Sequence, residues 1–421
     1  MSEKLGTTVV YVSNDPINSN SPIGLNGPNG PNKEKQTICL CMIVKNEGHI
    51  IKETLENVYK YVDTYCINDT GSTDGTQDMI RDFFKSKGID GEVIDHEYRT
   101  CNCHPGHKSK RYTFFDYGAN RSFAMEKCIG RASYIWMMDA DDRISGNMII
   151  PHLTHDCYNI TFGKGFTWKR TQFFKNDSSL NWHYNDELHE YATCDKKGYT
   201  IGSINGDFYV DYSHLGSRSS DPLKYLNDAK VFEELLLDKP NNDRYTFYCA
   251  QSYYDYGDKE NALLYYRKRI AIGGWYEEVF YSYYRVALLL EMMSREWSEV
   301  EKAYMDAYNF CKLRAEPLYH IARHYRLAND FKKCYEFAKI GIEIPFPQKC
   351  LLFMHKDIYD YKMADELSLG AYYMDNHCES LTIMEKMMRD GFVPESEMPR
   401  LMSNIAFNIK KINERSLADR W

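Results

Sequence analysis

The sequence predicts an α/β domain, with a mixed and mostly parallel sheet covered by helices on both faces, followed by an all-α domain of repeated helices. Three observations carry this expectation. Between Thr37 and Asp142, apolar runs of strand length alternate with stretches whose apolar residues recur at helical spacing. Three of those runs end in an acid or an amide, at the edge of a parallel sheet where ligands bind. Beyond about Pro222 the strand-like runs cease and helical spacing takes over. A chain of 421 residues exceeds one ordinary core, so two or three domains are expected.

Taken in order, residues 1–36 read as a flexible leader. Asn18 to Asn32 is rich in Asn, Gly, Pro and Ser and buries too little apolar surface to offset its ordering entropy. Residues 37–221 form the expected α/β domain. Thr37 to Val44 is a continuous apolar run, read as a buried parallel strand that stops at Lys45-Asn46-Glu47. A helix follows through Ile50, Leu55 and Val58. Tyr65-Cys66-Ile67-Asn68 is a second strand, stopped by Asp69. Asp69 to Thr76 is a turn, and Asp74 with Gln77 three residues on predicts a capped helix start. That helix buries Met79, Ile80, Phe83 and Phe84. Gly91 to Asp95 is a third strand, a helix runs near Asn120 to Gly130, and Tyr134 to Met138 is a strand ending in acids. Phe166 to Phe174 is a further strand. Residues 222–421 are expected to be helical. Leu318, Ile321, Ala322 and Tyr325 fall at i, i+3, i+4 and i+7, as do Cys334, Phe337, Ala338 and Gly341. Ala250, Ala287 and Ala322 recur at about 34 residues, the tetratricopeptide period. Gly257-Asp258 and Asn329-Asp330 fill inter-helix turns, and a looser unit is expected around Ala371, past Pro345 and Pro347.

Composition narrows the class. Hydrophobic content of 43% and charged content of 27% fit a globular protein. A net charge of -8 argues against a non-specific grip on nucleic acid, yet leaves room for a local basic pocket that holds a diphosphate. Met1 to Asn20 lacks the apolar core of a signal peptide, and no apolar run is long enough to span a membrane. The 13 cysteines therefore read as reduced packing residues of a cytoplasmic protein, and the 35 tyrosines as helix-packing residues.

Asp139-Ala140-Asp141-Asp142 stands out as a candidate site. A sugar nucleotide breaks its anomeric bond more easily when the departing diphosphate is neutralised. A hard divalent cation does this as a Lewis acid, and carboxylates at i and i+2 past a strand can reach one cation or its waters. Taken alone, three acids at a strand end are as readily solvated turn residues or helix caps. The predicted topology changes that weighting, because it brings Asn46-Glu47, Asp69 and Asp139 to one sheet edge.

Four ordered motifs then carry a family resemblance. Ile38 to Glu47 looks like the opening strand of family-two glycosyltransferases with the GT-A fold. Asp69-Thr70-Gly71-Ser72-Thr73-Asp74-Gly75-Thr76 is similar to their second-strand motif. Phe115-Asp116-Tyr117-Gly118-Ala119-Asn120-Arg121 resembles the segment before their acidic motif, and Trp136 to Asp142 resembles that motif itself. Leu188-His189-Glu190 and His214-Leu215-Gly216 resemble later landmarks of a subgroup with tetratricopeptide-like tails. The resemblance spans about residues 37–345. It implies that Asp69 contacts the nucleobase, uracil, and that Asn46 and Glu47 lie beside the nucleoside. It implies that Arg121 faces the diphosphate and that Asp139 sits near the ribose and the metal. Asp141 would be the main ligand to Mn or Mg, with His214 completing the metal shell. Inverting chemistry is implied, with Glu190 as first choice of base and Asp186 and Glu187 behind it. The bland readings stay open: Asp69 as a turn cap, Arg121 as an ion pair, His214 as a packed histidine, and Glu190 as a residue that orients His189.

Two features depart from the family. Trp182-His183-Tyr184-Asn185 stands where many relatives carry a glycine, which puts the acceptor loop in question. Cys101, Cys103, His104 and His107 offer four soft-metal ligands in seven residues, followed by Lys108-Ser109-Lys110-Arg111. They read as a substrate-covering loop or, with tighter spacing than usual, as a zinc site.

The function expected is transfer of a sugar from a nucleotide-sugar donor, a UDP-sugar, to a protein or glycan acceptor suggested by the helical tail. A non-catalytic helical scaffold with a degenerate first domain is the main competitor. A nucleotidyltransferase ranks third, because Lys45-Asn46-Glu47-Gly48-His49 is a poor triphosphate loop. Assembly into a homo-oligomer stays open.

Overall fold

The structure, a computed structural model, describes residues 35–96, 100–101, 114–212 and 215–418. Among these residues, contacts divide the chain into two units. One falls within Met1–Gly163 and Lys169–Pro222, the other within Lys164–Trp168 and Leu223–Trp421.

The first unit begins with β1 (Ile38–Val44), α1 (Ile51–Val58), β2 (Thr64–Asp69), α2 (Thr76–Lys87) and β3 (Gly91–Asp95). β4 (Thr100–Cys101) and β5 (Phe114–Phe115) pair as a short ribbon. Then come α3 (Tyr117–Lys127), β6 (Tyr134–Met137), β7 (Asp142–Gly146), β8 (Cys157–Phe162) and β9 (Phe166–Lys175). β10 (His183–Asn185) and β11 (Tyr191–Thr193) form a hairpin, and β12 (Ile201–Ser203) and β13 (Phe208–Tyr212) complete the set.

The main sheet runs β3-β2-β1-β6-β9-β8-β13-β7, with β12 on β8. β3, β2, β1 and β6 are mutually parallel, β9 is antiparallel to β6, and β13 is parallel to β8 but antiparallel to β7. The sheet is thus mixed and mostly parallel, as its unbroken apolar strands require when both faces are covered. In register, Val44 of β1 pairs with Asp69 and Asp69 with Asp95, while Cys41 pairs with Met137 of β6. The four parallel strands therefore release Lys45, Thr70, His96 and Met138 at one edge. The core beneath holds Cys39, Cys41, Cys66, Ile135 and Met137 against Ala124 and Met125 of α3 and Cys128 just past its end. The cysteines whose side chains are described are all free thiols.

The predicted cap of α2 is corrected. The N-cap is Gly75, left-handed at φ 85, with no side-chain bond. Asp74 instead accepts from Thr76 N at 3.1 Å and Oγ1 at 2.5 Å, and from Gly48 N at 2.9 Å. Gln77 points back to Asp69 and to the Ser72 carbonyl. A capping box needs the acid one residue nearer the helix. The extra glycine releases Asp74 to tie the turn to the end of β1.

The second unit contains α4 (Lys224–Asp238), α5 (Asp243–Tyr256), α6 (Lys259–Ile272), α7 (Tyr276–Met292), α8 (Trp297–Phe310), α9 (Glu316–Leu327) and α10 (Phe331–Ile342). β14 (Met354–His355), α11 (Met363–Tyr373), α12 (His377–Asp390) and α13 (Met398–Ala418) follow. Each consecutive pair of helices packs together. Four pairs share one turn. Gly257, Ser294, Asn329 and Asp375 all have positive φ, and the next residue's N–H returns to a carbonyl in the preceding helix: Asp258 to Tyr253, Arg295 to Leu290, Asp330 to Tyr325, and Asn376 to Ala371. These are Schellman ends. They explain why Gly257-Asp258 and Asn329-Asp330 read as turns, and why the other two, with Ser and Asp at the left-handed position, escaped notice. Ala250, Ala287, Ala322 and Ala371 have no exposed surface, as small residues at close helix crossings should.

Candidate functional site

The site grows from the carboxyl edge of β2, β1 and β6. Asp69 ends β2 and is 1% exposed. Its Oδ1 accepts from Gly71 N at 2.9 Å, Ser72 N at 2.8 Å and Gln77 Nε2 at 3.0 Å. Its Oδ2 is buried and accepts no hydrogen bond among the described residues, and the neighbouring Asn68 amide is likewise unpaired. An unpaired buried carboxylate oxygen is costly, by about 1–3 kcal/mol, so the arrangement suits an incoming N–H donor. Asp69 thus caps its own turn with one oxygen and keeps the other.

Asn46 leaves β1 with φ 55, a left-handed conformation that Asn tolerates. Its N–H donates to Ser72 Oγ at 2.8 Å, and its Oδ1 accepts from Thr73 N at 2.8 Å. Glu47 N donates to Thr76 Oγ1 at 3.0 Å, and its carbonyl accepts from Ile50 and Ile51 to start α1. The two loops predicted to meet are therefore stitched together.

After β6 the chain turns through the acidic string, held by Met138 N to Cys41 O and Asp142 N to Asp139 O. Thr54 of α1 donates to Ala140 O at 2.6 Å, and Asn57 exchanges bonds with Ile144. The three acids have different surroundings. Asp139 is clamped between guanidiniums: Arg121 Nη2 to Oδ1 at 2.5 Å and Arg170 Nη1 to Oδ2 at 2.9 Å. Burial alone would push its pKa up, yet Arg121 and Arg170 hold it well below the usual carboxylate range. Asp141 is half-buried and accepts from Gly216 N at 3.2 Å. Asp142 is 3% exposed, and burial reinforced by the Asp139 charge pushes its pKa well up. Gln172 Nε2 donates to its Oδ2 at 3.5 Å, and Trp136 Nε1 donates to Gln172 Oε1 at 3.0 Å, which fixes the amide's orientation.

Arg121, from α3, is almost wholly buried. Its Nε donates to Glu190 Oε1 at 2.5 Å, so one guanidinium bridges Glu190 and Asp139. Glu190 ends the β10–β11 loop, in which Asp186 has φ 66 and His189 φ 52. Left-handed residues other than glycine are strained and cluster at functional loops. The loop is pressed onto α3: a Cβ on Gly118 would lie 2.2 Å from the Asp186 carbonyl. The Glu187 carbonyl accepts from Tyr117 N at 2.9 Å.

The structure thus brings Asn46, Glu47, Asp69, Arg121, Asp139, Asp141, Asp186 and Glu190 to one side of one unit. His214 lies outside the described residues, as do the side chains of Cys101, Cys103, His104 and His107. Among the described residues no three His, Cys, Asp or Glu side chains are grouped to hold a metal. Asp141 offers a hard oxygen donor of the kind Mg takes when one or two carboxylates and the substrate's phosphates share the coordination. Arg170 and Gln172 were missed by sequence reading. Their signal was a charged and an amide side chain, two residues apart and so on one face of a strand flanked on both sides by β6 and β8.

Comparison with known proteins finds a family match over a limited stretch. The model of Glycosyl transferase family 2 matches residues 39–103. No curated protein matches the chain. Among solved structures, the crystal structure of MamA is 16% identical, with 40% of this chain and 88% of that chain covered at a TM-score of 0.32. BtubC from P. vanneervenii is 12% identical, with 48% and 87% covered at 0.36. YrrB, described as a TPR protein with an unusual peptide-binding site, is 10% identical, with 41% and 87% covered at 0.29. From β1 through β3 and a little beyond, this chain is similar to family-two glycosyltransferases.

Proposed function

We propose that the chain is a metal-dependent glycosyltransferase that moves a sugar from a UDP-sugar to a protein or glycan acceptor with inversion. Residues 37–221 would carry the chemistry and residues 222–421 the acceptor. The observation that carries the reading is the gathering of Asp69, Asp139, Asp141, Arg121 and Glu190 about the carboxyl edge of parallel strands, the first three of which lie in the family-matched stretch. Asp69, with one oxygen bound and one unpaired, suits a uracil N–H. Asn46 and Glu47 border the nucleoside. Asp141 would hold Mn or Mg together with donor phosphates, and His214 is the proposed further ligand. A cation held there would neutralise the leaving diphosphate. Asp139, ionised between two arginines, fixes the electrostatics of the loop. Glu190 takes the acceptor proton, with Asp186 behind it. No helix among the described residues is long and apolar enough to cross a membrane.

The test is a panel of nucleotide sugars screened by thermal stabilisation with Mn, followed by donor hydrolysis without acceptor. A ligand at one hundred times its Kd stabilises by about 2.7 kcal/mol, which is readily seen. Asp141→Ala should remove metal-dependent UDP binding and hydrolysis. If both persist in that variant, the site is misassigned. If no nucleotide sugar binds the wild type while peptides do, the scaffold reading replaces this one.

A further inference from the structure

Two guanidiniums meet the acidic loop, and they differ in what they have left to offer. Arg121 has a side chain 7% exposed. Its Nε is on Glu190, its Nη2 is on Asp139, and its Nη1 is buried without a partner. Its one free donor, Nη1, is enclosed, and Nε and Nη2 hold a buried bridge between two carboxylates, so no open edge of its fork is left to match two oxygens of an anion.

Arg170 differs on each count. Its side chain is 36% exposed, and a single donor, Nη1, is engaged, on Asp139 Oδ2 at 2.9 Å. Among the described residues Nε and Nη2 make no hydrogen bond, and neither belongs to the buried unpaired atoms. The Phe162 ring lies 5.2 Å from the guanidinium carbon and supports its plane. With Nη1 anchored, the other edge of the fork stays available, and that edge is what matches two oxygens of a phosphate. Arg121 and Arg170 balance the charges of Glu190 and Asp139, and a divalent cation shared between Asp141 and the donor would add the positive charge that a diphosphate requires.

We propose that Arg170, anchored by Asp139 and backed by Phe162, is the residue that binds the donor's diphosphate, and that Arg121 is a positioning residue that ties Glu190 to the acidic loop. The proposal rests on the nucleotide-sugar reading of the site and moves to Arg170 the contact that the family resemblance assigns to Arg121.

The experiment is calorimetry on the full chain with Mn, using uridine, UMP and UDP as probes on wild type, R170Q and R170K, with melting curves of each. R170Q should weaken UDP at least tenfold, weaken UMP less and leave uridine within twofold, and R170K should recover part of the UDP affinity. The melting curves should be close to wild type, because the exposed Arg170 leaves Asp139 with Arg121. UDP affinity unchanged within twofold in R170Q overturns the proposal, as does an equal loss for uridine and UDP, which marks a merely structural role. If R170Q fails to fold, R170K decides by the same uridine–UDP comparison. A wild type that binds none of the three with Mn or Mg overturns the nucleotide-sugar reading itself, a result distinct from wild-type binding that R170Q leaves intact.

Discussion

Replacing Arg121 with Met tests the idea that one buried guanidinium holds the candidate site together. Met keeps much of the side-chain volume and removes the charge and both hydrogen bonds. Glu190, with a side chain 9% exposed, loses its bond to Arg121, its only hydrogen bond among the described residues. Asp139, 25% exposed, keeps Arg170. Removing one partner of a buried ion pair costs about 3–5 kcal/mol. Because Asp139 stays paired, the lower end applies, about 3 kcal/mol. At about 2–4 °C per kcal/mol for a domain of this size, the melting temperature of the first unit should fall by roughly 6–12 °C at pH 7. The pH dependence follows from the direction in which the pKa moves. Asp139 in the folded protein lies well below its unfolded value of about 3.9. The stability this confers is present above that value and is lost as pH falls through the folded pKa. R121M forfeits the Arg121 share of that stabilisation of the Asp139 carboxylate, so its deficit should be largest at neutral pH and shrink on acidification. Calorimetric melts of wild type, R121M and R121K from pH 8 to pH 4 would show it, with R121K intermediate because it keeps charge without the fork. A deficit below about 1 kcal/mol at pH 7, or one that grows on acidification, would refute the bridge as a stabilising element.

Three further outcomes follow from the same geometry. Asp142 has a raised pKa, so its contribution is present below its unfolded value of about 3.9 and is lost as pH rises through the folded one; D142N should match wild type near pH 4 and gain on it toward pH 8, by about 1.4 kcal/mol for every tenfold by which folding tightens the carboxyl's hold on its proton, and a margin that moves the other way in chemical denaturation would contradict the raised pKa of Asp142. Gly118→Ala places a Cβ 2.2 Å from the Asp186 carbonyl, so α3 and the β10–β11 loop must part; a loss of about 1–3 kcal/mol and reduced transfer are expected, and a wild-type melting curve would show that the contact is not rigid. E190Q should lower transfer by about 10²–10⁴-fold while UDP binding with Mn persists, and D186N should lower it far less; the reverse order in initial-rate assays would pass the role of base to Asp186.

The parallel half of the sheet was legible because its strands are buried on both faces and stop at polar residues. Ile38–Val44 and Thr64–Asp69 stand within a residue or so of where apolar runs placed them. The helical repeats were legible at Ala250, Ala287 and Ala322 and at the two turns with Gly-Asp and Asn-Asp. The short later strands were not. β7, β10, β11, β12 and β13 are three to five residues long and partly exposed, so they carry neither a long apolar run nor clean alternation. The start of α2 misled because Asp74 and Gln77 have capping-box spacing, while the left-handed Gly75 takes the cap and sends both side chains back toward β1 and β2.

The site divides in the same way. Residues at strand ends were found from sequence, because topology alone fixes the edge at which Asn46, Asp69 and Asp139 emerge. What each one touches depends on elements far away in the chain, and no local pattern reports it. Asp139 and Asp142 are three residues apart and chemically identical, yet the pKa of one is held down between Arg121 and Arg170 and that of the other is pushed up beside Gln172. The difference comes from β9, which lies next to β6 and runs against it, with Trp136 facing Phe173. That register sets Arg170 on Asp139 and Gln172 on Asp142. An acidic string becomes a site with distinct members only when a strand some thirty residues on supplies a guanidinium to one acid and an amide to another. Shifting β9 by one residue would turn both to the opposite face and leave Asp139 with Arg121 alone, so the electrostatics of the acidic loop are encoded in the pairing of β6 with β9 as much as in the acids themselves.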